Sequence, residues 1–145
     1  MSIWILGRAD SSWPELKMPM FLERISAGFP SPAQDYIEQT RELYDLCIEH
    51  PASTYFVRVQ GDSMIEAGIF SGDILVVDRS LTAVHNQIVI AGFQGELTVK
   101  QLSLKPTVTL LPRNKKYKPV FIPEGADLEI FGVVTNVLRN LIKRH

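Results

Sequence analysis

The pattern of hydrophobic and polar positions changes at Thr54, where short apolar runs separated by turns begin. Each run has the length and the residue types of a β-strand, and the turns contain Gly, Pro and polar residues. Gln94-Gly95 predicts a hairpin between two of the runs. The predicted strands are 54–59, 73–78, 87–93, 96–103, 107–111, 119–122 and 128–138. Strands this short and this closely spaced favour a mostly β fold, a compact antiparallel β-domain.

One helix is predicted ahead of the strands. Ser31 suits the N-cap, Pro32 the first helical position, and Gln34 completes a capping box. His50-Pro51 is predicted to end this helix. Its apolar stripe, whose Tyr and Cys we interpret as core residues rather than ligands, is Ile37, Tyr44, Cys47 and Ile48.

Residues 1–26 show neither a helical period nor a sustained alternation. They open with the apolar run at 3–6 and contain too many other apolar residues for a solvated tail. We therefore predict an extended arm that lies against the domain or against a partner. The one clear seam is the loop around Ala27-Gly28, which divides the chain into an arm, 1–27, and a β-domain, 28–145.

Composition narrows the possible functions. The chain has 145 residues, enough for one domain with a hydrophobic core, and a net charge of −1, which gives no overall field toward nucleic acid. The single cysteine, Cys47, cannot form an intramolecular disulfide and suits a reducing compartment. No apolar run approaches the length of a bilayer. We expect a cytoplasmic protein with no membrane partner, no metal and no cofactor.

The run Gly61-Asp62-Ser63-Met64 contains a candidate nucleophile. It places a serine in a tight turn after a strand, where the glycine allows close backbone approach. The backbone N–H groups of Asp62 and Ser63 can point at one oxygen, as in an oxyanion hole. The same composition is common in ordinary turns. The histidines are scattered and make poor candidates for the base; they are His50, His85 and His145.

A lysine is the other side chain that can activate a serine, because burial disfavours the charged ammonium form. Lys100 lies in the middle of a predicted strand and shares a face with Thr98 and Leu102. Alternation does not say which face of this strand is buried, so a solvated Lys100 is the alternative. The other lysines of this region are predicted in turns: Lys105, Lys115, Lys116 and Lys118.

Several separate runs together resemble one known family, the self-cleaving Ser-Lys peptidases typified by LexA and UmuD. They are 56–64 (FVRVQGDSM), 72–80 (GDILVVDRS) and 96–100 (ELTVK). Upstream, 27–33 (AGFPSPA) is similar to the UmuD branch, which includes MucA and ImpA. The resemblance covers about residues 20–138 in the order of the family.

This resemblance implies specific roles. Ser63 would be the nucleophile, Lys100 the general base, and the peptide bond between Ala27 and Gly28 the scissile bond. The UmuD type commonly has Cys where this chain has Ala27; both side chains are small, so cleavage is still expected. The resemblance further implies cleavage stimulated by a RecA–single-stranded DNA filament in the SOS DNA-damage response. The trimmed homodimer would then serve a UmuC-type Y-family DNA polymerase in translesion synthesis.

Three alternatives were weighed against this interpretation. A LexA-like repressor would need a DNA-binding domain before the cleavage site, for which about 27 residues are too few. A leader peptidase would need a membrane anchor. A non-catalytic accessory or scaffold subunit with a vestigial Ser-Lys pair remains open. Two basic clusters are interpreted as solvated charges, without strong direct DNA binding: Arg113/Lys115/Lys116/Lys118 and Arg139/Lys143/Arg144.

Overall fold

The computed structural model describes residues 1–10 and 44–142. Within these two ranges there are two short 3₁₀ helices, Pro51–Ser53 and Ile65–Ala67, and residues 44–47 are helical. No helix within these ranges is long and apolar enough to cross a membrane. The strands are β1 (Ser2–Arg8), β2 (Thr54–Gln60), β3 (Ile74–Asp78), β4 (Ile88–Phe93), β5 (Glu96–Ser103), β6 (Thr109–Leu111), β7 (Val120–Phe121) and β8 (Leu128–Leu138).

The strands form one antiparallel sheet in the order β1-β2-β3-β8-β4-β5-β6-β7. The sheet curls, so that β1 also approaches β5 although the two strands are not hydrogen-bonded neighbours. The mostly β, antiparallel fold predicted from the sequence is confirmed. Each of the seven predicted strands is present, with ends that agree to within about two residues.

The core lies against the curled sheet in three clusters. The largest is formed by Val57, Val59, Met64, Ile69, Leu75, Val77, Ile90 and Val99. The second is formed by Val89, Ala91, Leu102, Leu110 and Val133, and the third by Ile48, Phe56 and Val76. Neighbouring residues of β2 and β4 fall into different clusters, because successive side chains of a strand point to opposite faces. The central strands are therefore buried on both faces.

The first strand, β1, was not predicted. The sequence indicates an extended arm docked on the domain, and the structure shows residues 2–8 as an edge strand paired with β2, with Ser2 opposite Gln60. A register shift between Ile5 and Gly7 interrupts the alternation. Ile3 and Leu6 are consequently the half-buried apolar residues of β1, packed against the first and third clusters. Their spacing is not the period of two that identifies a strand.

The predicted helix start at Ser31 lies outside the described residues. At its other end, Ile48 is buried and Cys47 is half-buried beside the third cluster. The interpretation of Tyr44 as a core residue is wrong, because its side chain is 39% exposed. Its hydroxyl donates a hydrogen bond of 3.4 Å to the carbonyl of Ala9, at the end of the β1 segment.

Candidate active site

The candidate nucleophile lies in the turn that follows β2. Gly61 has a φ of +121°, a conformation that favours glycine. A Cβ atom at this position would lie 3.2 Å from the Cα of Met1, so glycine also allows the start of the chain to approach the turn. Met64 is fully buried in the largest core cluster and anchors the turn. Ser63, between these residues, is only 2% exposed.

Lys100 reaches this serine from β5. Its Nζ lies 3.3 Å from the Oγ of Ser63, although the two residues are 37 positions apart in the chain. The same Nζ lies 3.0 Å from Thr98 Oγ1 and 3.0 Å from the carbonyl oxygen of Val99. The curl of the sheet therefore brings together the two residues that the sequence singled out.

The environment of Lys100 favours its neutral form. The residue is 9% exposed, so the alternative of a solvated strand lysine is wrong. Burial lowers the pKa of its amine below the ordinary value. Within 1–10 and 44–142, no carboxylate forms an ion pair with it. A neutral amine beside a serine hydroxyl has the lone pair that a general base requires.

The loop after β6 holds the serine turn from one side. The N–H of Arg113 donates to the carbonyl of Ser63 at 2.8 Å, and Asn114 Nδ2 donates to the carbonyl of Asp62 at 2.8 Å. The Tyr117 hydroxyl donates to the Asp62 carboxylate, and this hydrogen bond raises the pKa of Tyr117. The basic cluster that begins at Arg113 was interpreted from the sequence as solvated charge, but the backbone N–H of Arg113 contacts the candidate site.

The backbone donors of the turn have no acceptor within residues 1–10 and 44–142. None of the described residues accepts a hydrogen bond from the N–H groups of Asp62, Ser63 or Met64. The turn directly precedes the 3₁₀ helix Ile65–Ala67, and its residues do not belong to a strand. These N–H groups, which include the two expected from the sequence, can therefore donate to an anionic oxygen.

The two described histidines, which the sequence made poor candidates for the base, have partners other than this serine. His50 Nδ1 lies 2.6 Å from Asp78 Oδ2, and His85 Nδ1 accepts a hydrogen bond of 2.9 Å from the N–H of Leu104. The third histidine and the predicted cleavage site, Ala27-Gly28, lie outside the described residues.

Thr98 and Asn114 are among the polar contacts of the site that sequence reasoning missed. Thr98 was placed on the same face as Lys100, and that spacing was the signal that could have identified it as the partner of the amine. Asn114 carried no such signal. It lies 52 positions from Asp62 in the chain, and only the folded structure brings the two residues together.

A serine hydroxyl beside a lysine amine is one of the variants of the nucleophile–base pair found in hydrolases. Comparison with known families agrees with this class. The family described as "Peptidase S24-like" matches residues 19–135. The chain therefore belongs to the peptidase S24 family.

Named relatives support the same assignment. The chain is 52% identical over 122 residues to the Protein MucA of Salmonella typhimurium, covering 83% of this chain and 84% of MucA. It is 54% identical over 117 residues to the Protein SamA of the same species, covering 81% of each chain. A LexA repressor of Alcanivorax borkumensis is 38% identical over 130 residues, covering 88% of this chain and 62% of the repressor. The resemblance inferred from the sequence is confirmed.

Proposed function

We propose that this protein is a self-cleaving serine peptidase that cuts its own Ala27–Gly28 peptide bond. Ser63 is the nucleophile and Lys100 the general base. The observation that carries the proposal is the 3.3 Å separation of Lys100 Nζ from Ser63 Oγ. Burial adds to it, because desolvation lowers the pKa of Lys100 and so makes the neutral amine available.

In the proposed reaction, Lys100 Nζ accepts the hydroxyl proton while Ser63 Oγ attacks the carbonyl carbon of Ala27. The N–H groups of Asp62 and Ser63 donate to the resulting oxyanion. Lys100 then gives the proton to the nitrogen of Gly28 as the peptide bond breaks, which leaves an ester between Ser63 and Ala27. Water, deprotonated by Lys100, attacks the ester carbonyl. Lys100 then returns this proton to Ser63 Oγ as the ester C–O bond breaks, which releases the carboxylate of Ala27 and restores the serine.

Thr98 and the carbonyl of Val99 support the proton transfer. Both accept hydrogen bonds from Lys100 Nζ at 3.0 Å. When the amine takes up a proton its positive charge forms in a buried place, where an unpaired charge is costly. Two oxygen acceptors already in position lower this cost at the moment when the proton arrives.

The biological setting that we propose follows from the relatives. The similarity to MucA, SamA and ImpA supports a role in the SOS DNA-damage response. A RecA–single-stranded DNA filament would stimulate cleavage. The product, residues 28–145, would act as a homodimer and as the accessory subunit of a UmuC-type, error-prone Y-family polymerase.

Cleavage is tested by incubating the purified protein at alkaline pH, or with RecA, ATP and single-stranded DNA, and identifying fragments by mass spectrometry. We expect a fragment that begins at Gly28. Ser63→Ala and Lys100→Ala should abolish it. Lys105→Ala is the matched control, because Lys105 is an exposed lysine of the following turn and should not matter.

Two results would contradict the proposal in different ways. If the Ser63→Ala or Lys100→Ala variant still produces the fragment beginning at Gly28, the dyad is assigned wrongly. If the unaltered protein stays intact under both conditions, the protein is a non-catalytic accessory or scaffold subunit with a vestigial Ser-Lys pair.

A further inference from the structure

Asn114 is a buried side chain of the loop after β6 and is 7% exposed. Its Nδ2 donates to the carbonyl of Asp62 at 2.8 Å, and its Oδ1 accepts a hydrogen bond of 3.0 Å from the N–H of Lys116. Because the Oδ1 atom already accepts from a backbone N–H, the end of the amide that faces Asp62 must be the donor. The orientation of this side chain is thus determined by its own loop.

The carbonyl that Asn114 contacts belongs to the same planar peptide as the N–H of Ser63. In a trans peptide the C=O and N–H groups point in opposite directions. A donor held against the Asp62 carbonyl therefore determines where the Ser63 N–H points. It also polarises that N–H, because linked hydrogen bonds strengthen one another.

The peptide on the other side of Ser63 is held by the same loop. The N–H of Arg113 donates to the carbonyl of Ser63 at 2.8 Å, and the N–H of Glu66 donates to the carbonyl of Arg113 at 2.8 Å. Both carbonyls that flank the Ser63 Cα are thus occupied from the loop side. The N–H groups of Ser63 and Met64 have no acceptor among the described residues, and they remain directed away from the loop.

We propose that Asn114 is a positioning residue for the reaction. It acts through the Asp62–Ser63 peptide and aims the N–H of Ser63 at the oxyanion that forms when Ser63 attacks. This inference rests on the proposed function, because it requires Ser63 to be the nucleophile. It adds a residue that determines how well the turn stabilises the transition state.

The test compares self-cleavage rates of the full chain over a range of alkaline pH. Asn114→Leu has a similar volume and no charge but cannot donate to Asp62. Asn114→Asp keeps an acceptor for the N–H of Lys116 and also lacks the donor, and it serves if the Leu variant does not fold. We expect the plateau rate of either variant to fall about 10- to 100-fold. This fall should not exceed the one caused by removing a group that itself donates to the oxyanion.

The pH profile separates positioning from a general structural role. In Asn114→Leu the pH midpoint should stay at the wild-type value, because the surroundings of Lys100 are unchanged. Opening of the site would hydrate Lys100 and move the midpoint upward, toward an ordinary lysine pKa. Lys115→Ala, an exposed side chain of the same loop, is the matched control and should cleave at the wild-type rate.

Three outcomes would overturn the inference. Plateau rates within about threefold of wild type in both variants would show that no transition-state contact was lost. A lower plateau with an upward midpoint in Asn114→Leu would show that the loop only shields Lys100. If the unaltered protein forms no Ser63-dependent fragment, the proposed function is wrong, and the inference about Asn114 is wrong with it. This result is obtained before any Asn114 variant is made, so it can be told apart from a failure of the inference alone.

Discussion

At the scale of single residues, Lys100 and His50 lie in environments that shift their pKa values in opposite directions. Lys100 is buried against neutral acceptors, and desolvation alone lowers the pKa of its amine. His50 is bonded to the Asp78 carboxylate, and that hydrogen bond raises the pKa of its imidazole. The first arrangement favours a neutral base, and the second favours a charged pair. Chemistry at Lys100 and stability at His50 should therefore depend differently on pH.

The rate of self-cleavage should rise with pH and level off below the ordinary pKa of lysine. In the proposed reaction the active form of Lys100 is the neutral one, and its pKa is lowered, so the amine loses its proton at a lower pH than a solvated lysine does. The measurement is a series of cleavage time courses from neutral to strongly alkaline pH. A rate that falls as pH rises, while the protein stays folded, would contradict this role of Lys100.

Replacing Lys100 by Met should stabilise the protein at pH 7 while abolishing cleavage. The lowered pKa means that the unfolded state holds the proton more tightly, so burial of Lys100 costs stability at pH 7 and less as pH rises toward the pKa of the unfolded chain. We expect a melting temperature about 2–4 °C higher, equivalent to about 1 kcal/mol. Thermal unfolding should show that the difference in melting temperature between Lys100→Met and wild type is smaller at pH 10 than at pH 7. An equal or larger difference at pH 10 would be inconsistent with this cause.

Asp78→Asn should lower the pKa of His50 toward its ordinary value. Burial alone would raise the pKa of the Asp78 carboxyl, but hydrogen bonds from Ser80, His50 and Ser53 lower it overall. The pair therefore stabilises the fold between the unfolded pKa of Asp78 and the unfolded pKa of His50. This contribution is lost as pH rises through the folded pKa of His50 and as pH falls through the folded pKa of Asp78. NMR titration of the His50 ring in wild type and in Asp78→Asn measures the shift. An unchanged His50 titration in Asp78→Asn would rule out this pairing.

At the scale of elements, β8 determines how the sheet curls. It lies between β3 and β4, and its pairing shifts register with both strands, between Val76 and Val77 and between Ile90 and Ala91. Register shifts of this kind bend strands and increase their twist. The curl brings β5 around toward the end of β2, where Lys100 meets Ser63. The site therefore depends on a strand that contributes none of its side chains.

Gly132→Ala should destabilise the protein by about 1–3 kcal/mol. Gly132 of β8 pairs with Ile90 next to the second register shift, and a Cβ there would lie 2.7 Å from Val77 Cγ1 and 3.1 Å from the Asp78 carbonyl. Denaturant unfolding measures the loss. Glu129→Ala, on the same strand with an exposed side chain, should change stability little. Equal stability of Gly132→Ala and wild type would show that this contact relaxes without cost.

At the scale of the whole molecule, β1 joins the start of the chain to the β-domain. It pairs with β2 from Ser2 to Arg8, and the N–H of Ala9 continues the contact to the carbonyl of Thr54 at 2.8 Å. In the proposed function, cleavage at Ala27–Gly28 would break the covalent connection between β1 and its partner strand β2. A tether holds a segment at an effective concentration of about 1 mM, and this advantage disappears when the tether is cut.

We therefore expect β1 to be protected before cleavage and to dissociate after it. Hydrogen exchange of the Ser63→Ala protein should show a protected amide at Trp4, which lies opposite Arg58 in the ladder. After cleavage of the unaltered protein, native mass spectrometry at decreasing concentration should show loss of the fragment 1–27. In Ser63→Ala, a further Trp4→Pro substitution should remove the protection without cleavage, since Trp4 pairs with Arg58 on the side of β2 that faces β1 and proline cannot donate to the ladder. A fragment that stays bound at nanomolar concentration would contradict this expectation.

The sequence by itself determined the elements that depend on local pattern. The strands from β2 to β8 were predictable because their side chains alternate or their turns contain Gly and Pro. Ser63 and Lys100 were identifiable because each stands in a distinctive local setting and both match one family. The helix cap at Ser31 and the cleavage site at Ala27-Gly28 remain predictions, since they lie outside the described residues.

Only the tertiary structure decided the contacts that join distant parts of the chain. β1 escaped prediction because its register shift breaks the alternation and its strand conformation depends on pairing with β2. The face of β5 that carries Lys100 could not be chosen from the pattern, because both faces of that strand are buried in its second half. The folded sheet brings Asn114 to Asp62, and no local pattern in the sequence predicts a contact between residues this far apart in the chain. The sequence thus named the two residues of the proposed dyad, and the fold determined how closely they meet and what holds them.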